Sequence, residues 1–399
     1  MTNLEKWQLL TSDLEAPQNY IDFVWYFTIS SALERRVFFG DPERPLFCNQ
    51  YLLLVGPPGI GKGTSMREGK RLLQRYPLTD PNGTPLFDRE KQPRALFHSF
   101  SDSITFEALV WDMVECTKAI YKPDGGIAAQ AAGYFLLEEL SSLFRKNKSE
   151  DVARLLLNLY DCIDYEYRTR TKSTARIRKG CLNLIAGTTM DFVRTAEQSG
   201  MLGEGLFSRT LIIYADAPRH IRFSYANLSA EQKLAQASLQ DWLRDLSKLY
   251  GRIEIPPETN DWLESWWAKE YEHLAAFSDD KLMNFFSRRK VQVHKLAAAI
   301  HYSEHKVLSP IPIPTWELAA HKVRSLEDNI IKIARRTGRS QTYSIQERLV
   351  QFICQQPRTH MEVVDFLSPN LQYQEIISML EGVQASGKVV QQGQTWSKA

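Results

Sequence analysis

The run Gly56-Pro57-Pro58-Gly59-Ile60-Gly61-Lys62 is where the chain's residue types first imply chemistry. Tyr51–Val55 before it reads as a short buried strand, and Ser65–Tyr76 after it reads as a helix. A glycine-rich turn between strand and helix lets successive backbone N–H groups face an anion, and the helix N-terminus adds its dipole. Gly56, Gly59 and Gly61 remove Cβ atoms that would hold a phosphate away. Lys62 supplies a mobile cation for β- and γ-phosphates. The fit to G-x-x-x-x-G-K-[ST] breaks at Gly63, which stands where a magnesium-binding hydroxyl belongs; Thr64 follows it. The expected ligand is ATP, cradled by Gly56, Gly59, Gly61, Lys62, Gly63 and Thr64, with magnesium on Thr64. The plain alternative is a Gly/Pro turn that opens a helix.

Three further positions suit hydrolysis. The apolar segment "YFLLEEL" ends in Glu138-Glu139. One carboxylate there holds magnesium or its water, and the next polarises the attacking water. Glu138 takes the metal side and Glu139 the water, although aspartate is usual at the first position. Two exposed acids at a helix start would read the same way. "CLNLIAGTT" ends in Thr188-Thr189, and Thr188 is placed to touch a γ-phosphate or to position water. Arg209 directly precedes "TLIIYAD". It reads either as a surface residue or as an arginine finger that completes a neighbour's site.

A fourth group is basic. Arg168, Arg170, Lys172, Arg176, Arg178 and Lys179 fall within the twelve residues 168–179. "YEYRTRTKSTARIRKG" alternates at period two, with Tyr165, Tyr167, Thr169 and Thr171 on one face and cations on the other. That is a hairpin turning near Lys172-Ser173. Its arginines and lysines would neutralise DNA phosphates without reading sequence. The alternative is a solvated basic loop. Lys322–Arg339 is a second, more ordinary basic run.

These groups need a scaffold. Residues 1–50 read as a helical segment, in which Tyr20–Arg36 is apolar enough to pack on the strands and helices after it. Residues 51–218 alternate short apolar strands with helices. Strands are expected at Tyr51–Val55, Ala95–Ser99, Tyr134–Leu137, Cys181–Ala186 and Thr210–Tyr214. Helices are expected at Ser65–Tyr76, Thr105–Ile120 and Ser149–Asp161. The fold class is therefore α/β with a mostly parallel sheet covered on both faces. Residues 219–339 read as a helical lid region, and Gly338–Thr342 as a linker. In residues 340–399, helices at Ile345–Gln355, Met361–Leu367 and Gln372–Ser386 precede a hairpin turning at Gly393. Three helices and a hairpin suggest a winged helix. Its third helix carries Glu375 and Glu381 and no Lys or Arg, so it suits a protein partner as well as DNA.

The order of phosphate loop, acidic strand, polar strand end and "SR" before the last strand resembles the AAA+ ATPases. "LFSRTLIIYAD" is similar to the finger segment of minichromosome-maintenance helicases. "ALERRV" before the loop and "RRKVQVHKLAAAI" after the core resemble phage- and plasmid-encoded primase-helicase ATPases, over residues 20–335. The resemblance implies an AAA+ P-loop core in a ring, a hexamer, driving a DNA helicase or translocase in replication of a mobile genetic element. It implies that the hairpin lines a central pore holding single-stranded DNA. It gives Arg209 the finger role and makes Arg288 or Arg289 the lid arginine that reaches the nucleotide. The C-terminal domain would meet replication proteins. Two alternatives stay open: an ATP-switch helicase loader or transposition regulator that binds DNA without unwinding it, and a small-molecule nucleotide kinase, whose loop also reads G-x-P-G-x-G-K-G-T.

Composition bounds these readings. The 399 residues suggest two to four domains, and 43% hydrophobic content suffices for real cores. A formal net charge of +2 confines any basic surface to local patches. Five scattered cysteines argue for a reducing, cytoplasmic setting. No leader or membrane span is expected, because the N-terminus is polar and no 18-residue apolar run occurs. "HYSEH" matches a zinc-peptidase spacing but reads more simply as a polar last helical turn. Trp262, Trp266 and Trp267 read as core rather than as a base-stacking platform.

Overall fold

The computed structural model describes residues 1–145, 149–168, 174–198, 203–222, 227–275, 286–327, 349–350, 352–354, 356–368, 373–385 and 389–398. The chain divides into two units, Met1–Ile331 and Lys332–Ala399.

In the first unit, α1 (Asn3–Leu10), α2 (Gln18–Leu33), β1 (Val37–Phe39) and β2 (Leu46–Phe47) precede the loop strand β3 (Tyr51–Val55) and α3 (Lys62–Leu73). Next come β4 (His98–Ser99), α4 (Phe106–Glu115), β5 (Lys118–Tyr121), β6 (Ile127–Leu137), α5 (Ser141–Arg145) and α6 (Ser149–Tyr160). The hairpin β7 (Tyr165–Arg168) and β8 (Thr174–Ile177) leads into β9 (Gly180–Thr188), α7 (Met190–Gln198), α8 (Gly203–Arg209) and β10 (Thr210–Tyr214). Then follow α9 (Ala230–Leu246), β11 (Gly251–Arg252), α10 (Pro257–Ala275), α11 (Arg289–Glu304) and α12 (Ile313–Ser325).

The central sheet runs β10-β3-β9-β6-β4, all parallel, with β5 antiparallel on β6. β3 and β9 are buried at every residue, as strands covered on both faces must be. The expected five strands exist, with two differences. Ala95 bridges Pro77 in a folded-back segment, so only His98–Ser99 joins the sheet. Asp80 and Asp88 close that segment's turns: each Oδ1 accepts backbone N–H groups two and four residues ahead. The helix expected to reach Ile120 stops at Glu115, because Lys118–Tyr121 alternates buried and exposed and pairs with Ile127–Gln130.

α2 explains why the N-terminal segment is so apolar. Thirteen of its sixteen residues are buried, so it is a core helix and not a surface one. It packs on α3, α9, α11 and the sheet. Gly69 of α3 permits the close approach, since a Cβ there would stand 2.7 Å from Thr28 Oγ1. One core runs from Trp7 through the sheet to Val323 and Leu326, joining the segments 1–50, 51–218 and the helices after them.

The C-terminal end of α2 is tied to the sheet by charge. Glu34, 1% exposed, accepts from Arg36 at 2.8 Å, from Lys118 Nζ at 2.6 Å and from Gln130 Nε2. Both cations are buried with it.

The second unit has its own core, including Leu349, Ile353, Val363, Leu367, Ile376, Leu380 and Trp396. A helical stretch around Phe352–Cys354 leads to β12 (Arg358–Thr359), α13 (His360–Leu367), α14 (Tyr373–Ala385), β13 (Val389–Gln392) and β14 (Thr395–Lys398). The sheet order is β12-β14-β13, and Gly393 turns the hairpin at φ +64°. Much of the expected first helix, Ile345–Gln355, lies outside the described residues.

Glu34→Ala should leave Lys118 and Arg36 buried without their counter-charge. Loss of one partner from such a cluster costs about 3–5 kcal/mol. Urea unfolding of the first unit, followed by tryptophan fluorescence, should show a loss of that order. A loss under about 1 kcal/mol would mean that these charges reach water in the folded state.

Candidate functional site

The strand order builds the site. β9 lies between β3 and β6, pairing Val55 with Thr188 and Leu137 with Ala186. The loop after β3, the end of β9 and Glu138-Glu139 after β6 therefore meet at the carboxyl ends of parallel strands, where ligands of open α/β sheets bind. Gly187 lets the acidic segment close in, since a Cβ there would lie 2.6 Å from Glu138 O. Gly56 N–H donates to Thr188 O at 3.2 Å and fixes the loop's first residue.

The three loop glycines have two different duties. Gly59 (φ +80°) and Gly61 (φ +93°) hold left-handed backbone that turns the loop. Beneath the loop, a Cβ on Gly56 would meet Ala215 O at 2.5 Å and Tyr20 Oη at 2.6 Å. A Cβ on Gly61 would lie 2.8 Å from Ala16 Cα. Gly56 and Gly61 are thus demanded by the residues that support the loop, besides any anion above it. Tyr20 donates to Val55 O at 2.6 Å, bracing the loop strand from α2. No motif signals this brace.

Lys62 Nζ donates to Gly56 O at 2.6 Å and to Pro57 O at 2.8 Å, curling over its own loop. Burial lowers its pKa. Thr64 Oγ1 donates to Gly61 O at 2.9 Å, so its hydroxyl serves the helix start rather than standing free for a metal. Thr188 Oγ1 is buried and has no hydrogen-bond partner among the described residues. An orphaned buried hydroxyl costs about 1–3 kcal/mol, and a ligand oxygen or water at that point removes the cost. The turned loop, Lys62 and the waiting Thr188 hydroxyl fit a phosphate.

The acids are not equivalent. Glu138 forms an ion pair with Arg67 of α3, both half exposed. A Cβ at Gly63 would stand 3.2 Å from Arg67 Nη1 and 3.3 Å from Glu138 Oε2. Two departures from the motif therefore touch: the missing side chain at 63 makes room for the Arg67–Glu138 pair. Glu139 accepts from Ser141 Oγ, which orients it. Asp102, after β4, is a further acid that no sequence motif marks. Burial raises its pKa, Lys70 opposes that and Glu138 adds to it.

The arginines divide sharply. Arg209 sits one residue before Thr210, which pairs with Tyr51. Five residues of strand, roughly 16 Å, separate its level from the loop of its own chain. It holds Asp161 with two nitrogens, at 2.7 and 3.3 Å, and is 12% exposed in its side chain. Arg288 is half-buried at the start of α11. Arg289 is 3% exposed and locked between Glu270 and Glu327. That is a correction: Arg289 is spent inside a buried cluster and cannot serve as the lid arginine.

The basic hairpin forms as expected, with Tyr165 opposite Ile177 and Arg168 opposite Thr174. Arg170 and Lys172 lie outside the described residues. Tyr167 packs edge-on against Phe106, which seats the hairpin on α4. The cations are less free than their number suggests. Glu166 takes Arg168 and Arg176, and Asp164 takes Arg178. In the second basic run, Lys322 pairs with Asp22 at 3.7 Å.

The aromatic and histidine clusters also divide. Trp262 and Trp266 stack at 6.2 Å and pack on the core, whereas Tyr271 in the same ladder is 58% exposed. In "HYSEH", His301 is buried against Ser309 at 3.0 Å and its ring stacks on His305 at 4.3 Å. Burial, with His305 adding to it, pushes its pKa down to about 4.

No protein-family model matches the chain, and no curated protein matches it. No helix among the described residues is long and apolar enough to cross a membrane.

His301 makes stability depend on pH in one direction. Its folded pKa lies near 4 against an ordinary 6.5, so the unfolded chain binds the extra proton first. Stability should be full above pH 6.5 and fall as pH drops from 6.5 towards 4. His301→Gln should flatten that part of the profile in urea melts at a series of pH values. An unchanged slope would show that other groups set the acid limb.

Proposed function

We propose that the chain is an ATP-hydrolysing DNA translocase of the AAA+ kind, assembled as a ring. The observation that carries the reading is β9 lying between the loop strand and the acidic strand, with Thr188 at its end. In this reading Lys62 leaves its own loop carbonyls for the nucleotide's phosphates. Thr188 contacts the terminal phosphate. Glu139, oriented by Ser141, polarises the attacking water. Magnesium would supply charge neutralisation at the phosphates, and Glu138 is the carboxylate that would hold it once Arg67 lets go. Arg209 lies too far from its own loop to serve it. A neighbouring subunit's nucleotide is the site it suits, with Asp161 as its resting partner. The hairpin arginines would contact the DNA backbone. The second unit's order of helix, strand, two helices and hairpin supports the winged-helix reading.

One observation favours a second reading, a slow ATP switch such as a helicase loader. Arg67 already occupies Glu138, and Gly63 offers magnesium no hydroxyl. Both features would slow turnover more than they would weaken nucleotide binding. Strand-displacement assays separate the two readings.

The central test is ATPase activity with and without DNA. Lys62→Ala should abolish nucleotide binding, and Glu139→Gln should keep binding while lowering turnover at least a hundredfold. Wild-type affinity in Lys62→Ala would sink the phosphate-loop assignment. Hydrolysis that DNA does not stimulate would remove the translocase reading.

Arg67→Ala and Gly63→Thr should both lower the magnesium concentration giving half-maximal nucleotide binding, by about fivefold. The first removes Glu138's resident cation; the second crowds the pair and adds a hydroxyl. Magnesium titrations with a fluorescent ATP analogue measure this directly. Curves that superimpose on wild type would show that Arg67 does not compete with the metal.

A further inference from the structure

A second cleft lies at the other end of the sheet from the phosphate loop, where β6 and β9 begin. It has about 170 Å3 of free volume. A single water needs only ~10–15 Å3, so the cleft takes a group of many atoms. Phe38, Phe47 and Tyr250 line it, with Arg35 and Lys179 as its cations and no acid among its lining residues.

Neither side chain pairs with a carboxylate among the described residues; Arg35 is held by its side chain and Lys179 by its backbone. Arg35 Nη1 donates to Cys162 O at 2.6 Å and to Gly180 O at 3.1 Å. Its guanidinium carbon lies 4.4 Å from the Phe47 ring centroid. Those bonds use one nitrogen and fix the plane of the others. Lys179 has φ +51°, a conformation a lysine rarely takes. Asp164 Oδ1 holds it there by accepting its backbone N–H at 2.7 Å. Lys122 Nζ stands 5.3 Å over the Tyr250 ring and adds a third cation beside the cleft. Strain kept at an exposed cation, beside aromatic walls, points to a ligand rather than to stability.

Aromatic walls, cations and no acid suit a ligand that is planar on its faces and anionic at one end, as a nucleotide is. Lys179 follows β8 by two residues, so the cleft opens at the foot of the basic hairpin, where Arg176 and Arg178 are exposed. We propose that the cleft holds one nucleotide unit of a single DNA strand lying along that hairpin. The proposal rests on the DNA reading above.

The test uses the full chain and a fluorescein-labelled oligo-dT. Lys179→Gly removes the ammonium while keeping a residue that accepts the left-handed backbone, and Tyr250→Ala removes a wall. Each should weaken oligonucleotide binding about tenfold. Lys179→Gly should also lower the salt slope by about one. Melting temperature and ATP affinity should not change. An oligonucleotide bearing one 5-iododeoxyuridine should crosslink to the peptide containing Tyr250. If wild type binds the oligonucleotide and both variants bind equally well with no such crosslink, the cleft proposal is overturned while the DNA reading stands. If wild type binds no DNA, both fall. Binding of a fluorescent dTMP analogue, lost in Tyr250→Ala, would then mark the cleft as a free-nucleotide site instead.

Discussion

A strand paired on both edges and covered on both faces can offer function only at its ends, and β9 imposes that rule on the whole first unit. All nine of its residues are buried. Neighbouring strands stand about 4.8 Å apart, so β9 sets the loop strand and the acidic strand roughly 10 Å apart and parallel. In the proposed reading, the phosphate and its attacking water would sit across that gap. The elements around it serve this spacing. α2 braces β3 through Tyr20, Glu34 pins the far end of α2 to β5 and β6, and Gly187 and Gly69 let backbone and helices approach.

The second theme is that several of the described arginines suited to a phosphate already have an acid. Arg67 holds Glu138, Arg209 holds Asp161, and the hairpin arginines hold Glu166 and Asp164. The exposed pairs among them, those of Arg67 and the hairpin arginines, are worth only ~0–1 kcal/mol, so an incoming phosphate can take them over. A buried pair is different, because removing one partner strands the other away from water. Exposure therefore sorts the arginines. Arg67, Arg168, Arg176 and Arg178 can exchange partners, and Arg289, shut between Glu270 and Glu327, cannot.

How much of the fold and site is legible in the sequence depends on how local each signal is. The loop, β3, α6 and β10 were legible because each is one contiguous pattern: glycine spacing, an apolar run, a helical period. β5 was not, because Lys118 is a buried charge inside a strand, and only its pairing with Glu34, 84 positions away, makes that tolerable. Glu138 and Glu139 were given the metal and the water by their order alone, with no contact to support the division. Arg67 and Ser141 distinguish them, and neither belongs to any motif. Gly56 and Gly61 looked like residues chosen for a ligand, yet Ala215, Tyr20 and Ala16 beneath the loop also require them. Arg288 and Arg289 were equivalent on paper, and burial separated them.

The hairpin's place in the fold changes how it would communicate with a nucleotide. The strand that follows the hairpin ends at Thr188, the residue proposed to meet the terminal phosphate. The structure puts Lys179 at the opposite end of β9 from Thr188, about 30 Å of buried strand away. A strand fixed along its whole length makes a poor lever. A shorter route exists. Arg209 grips Asp161, and three residues later Asp164 holds both Arg178 and the backbone N–H of Lys179 at the hairpin's foot. If Arg209 turned to a neighbouring subunit's nucleotide, Asp161 would lose its cation and the segment leading into the hairpin would be freed of that restraint. In such a ring, each hairpin would answer to the nucleotide at its subunit's interface with the neighbour, not to the one on its own loop.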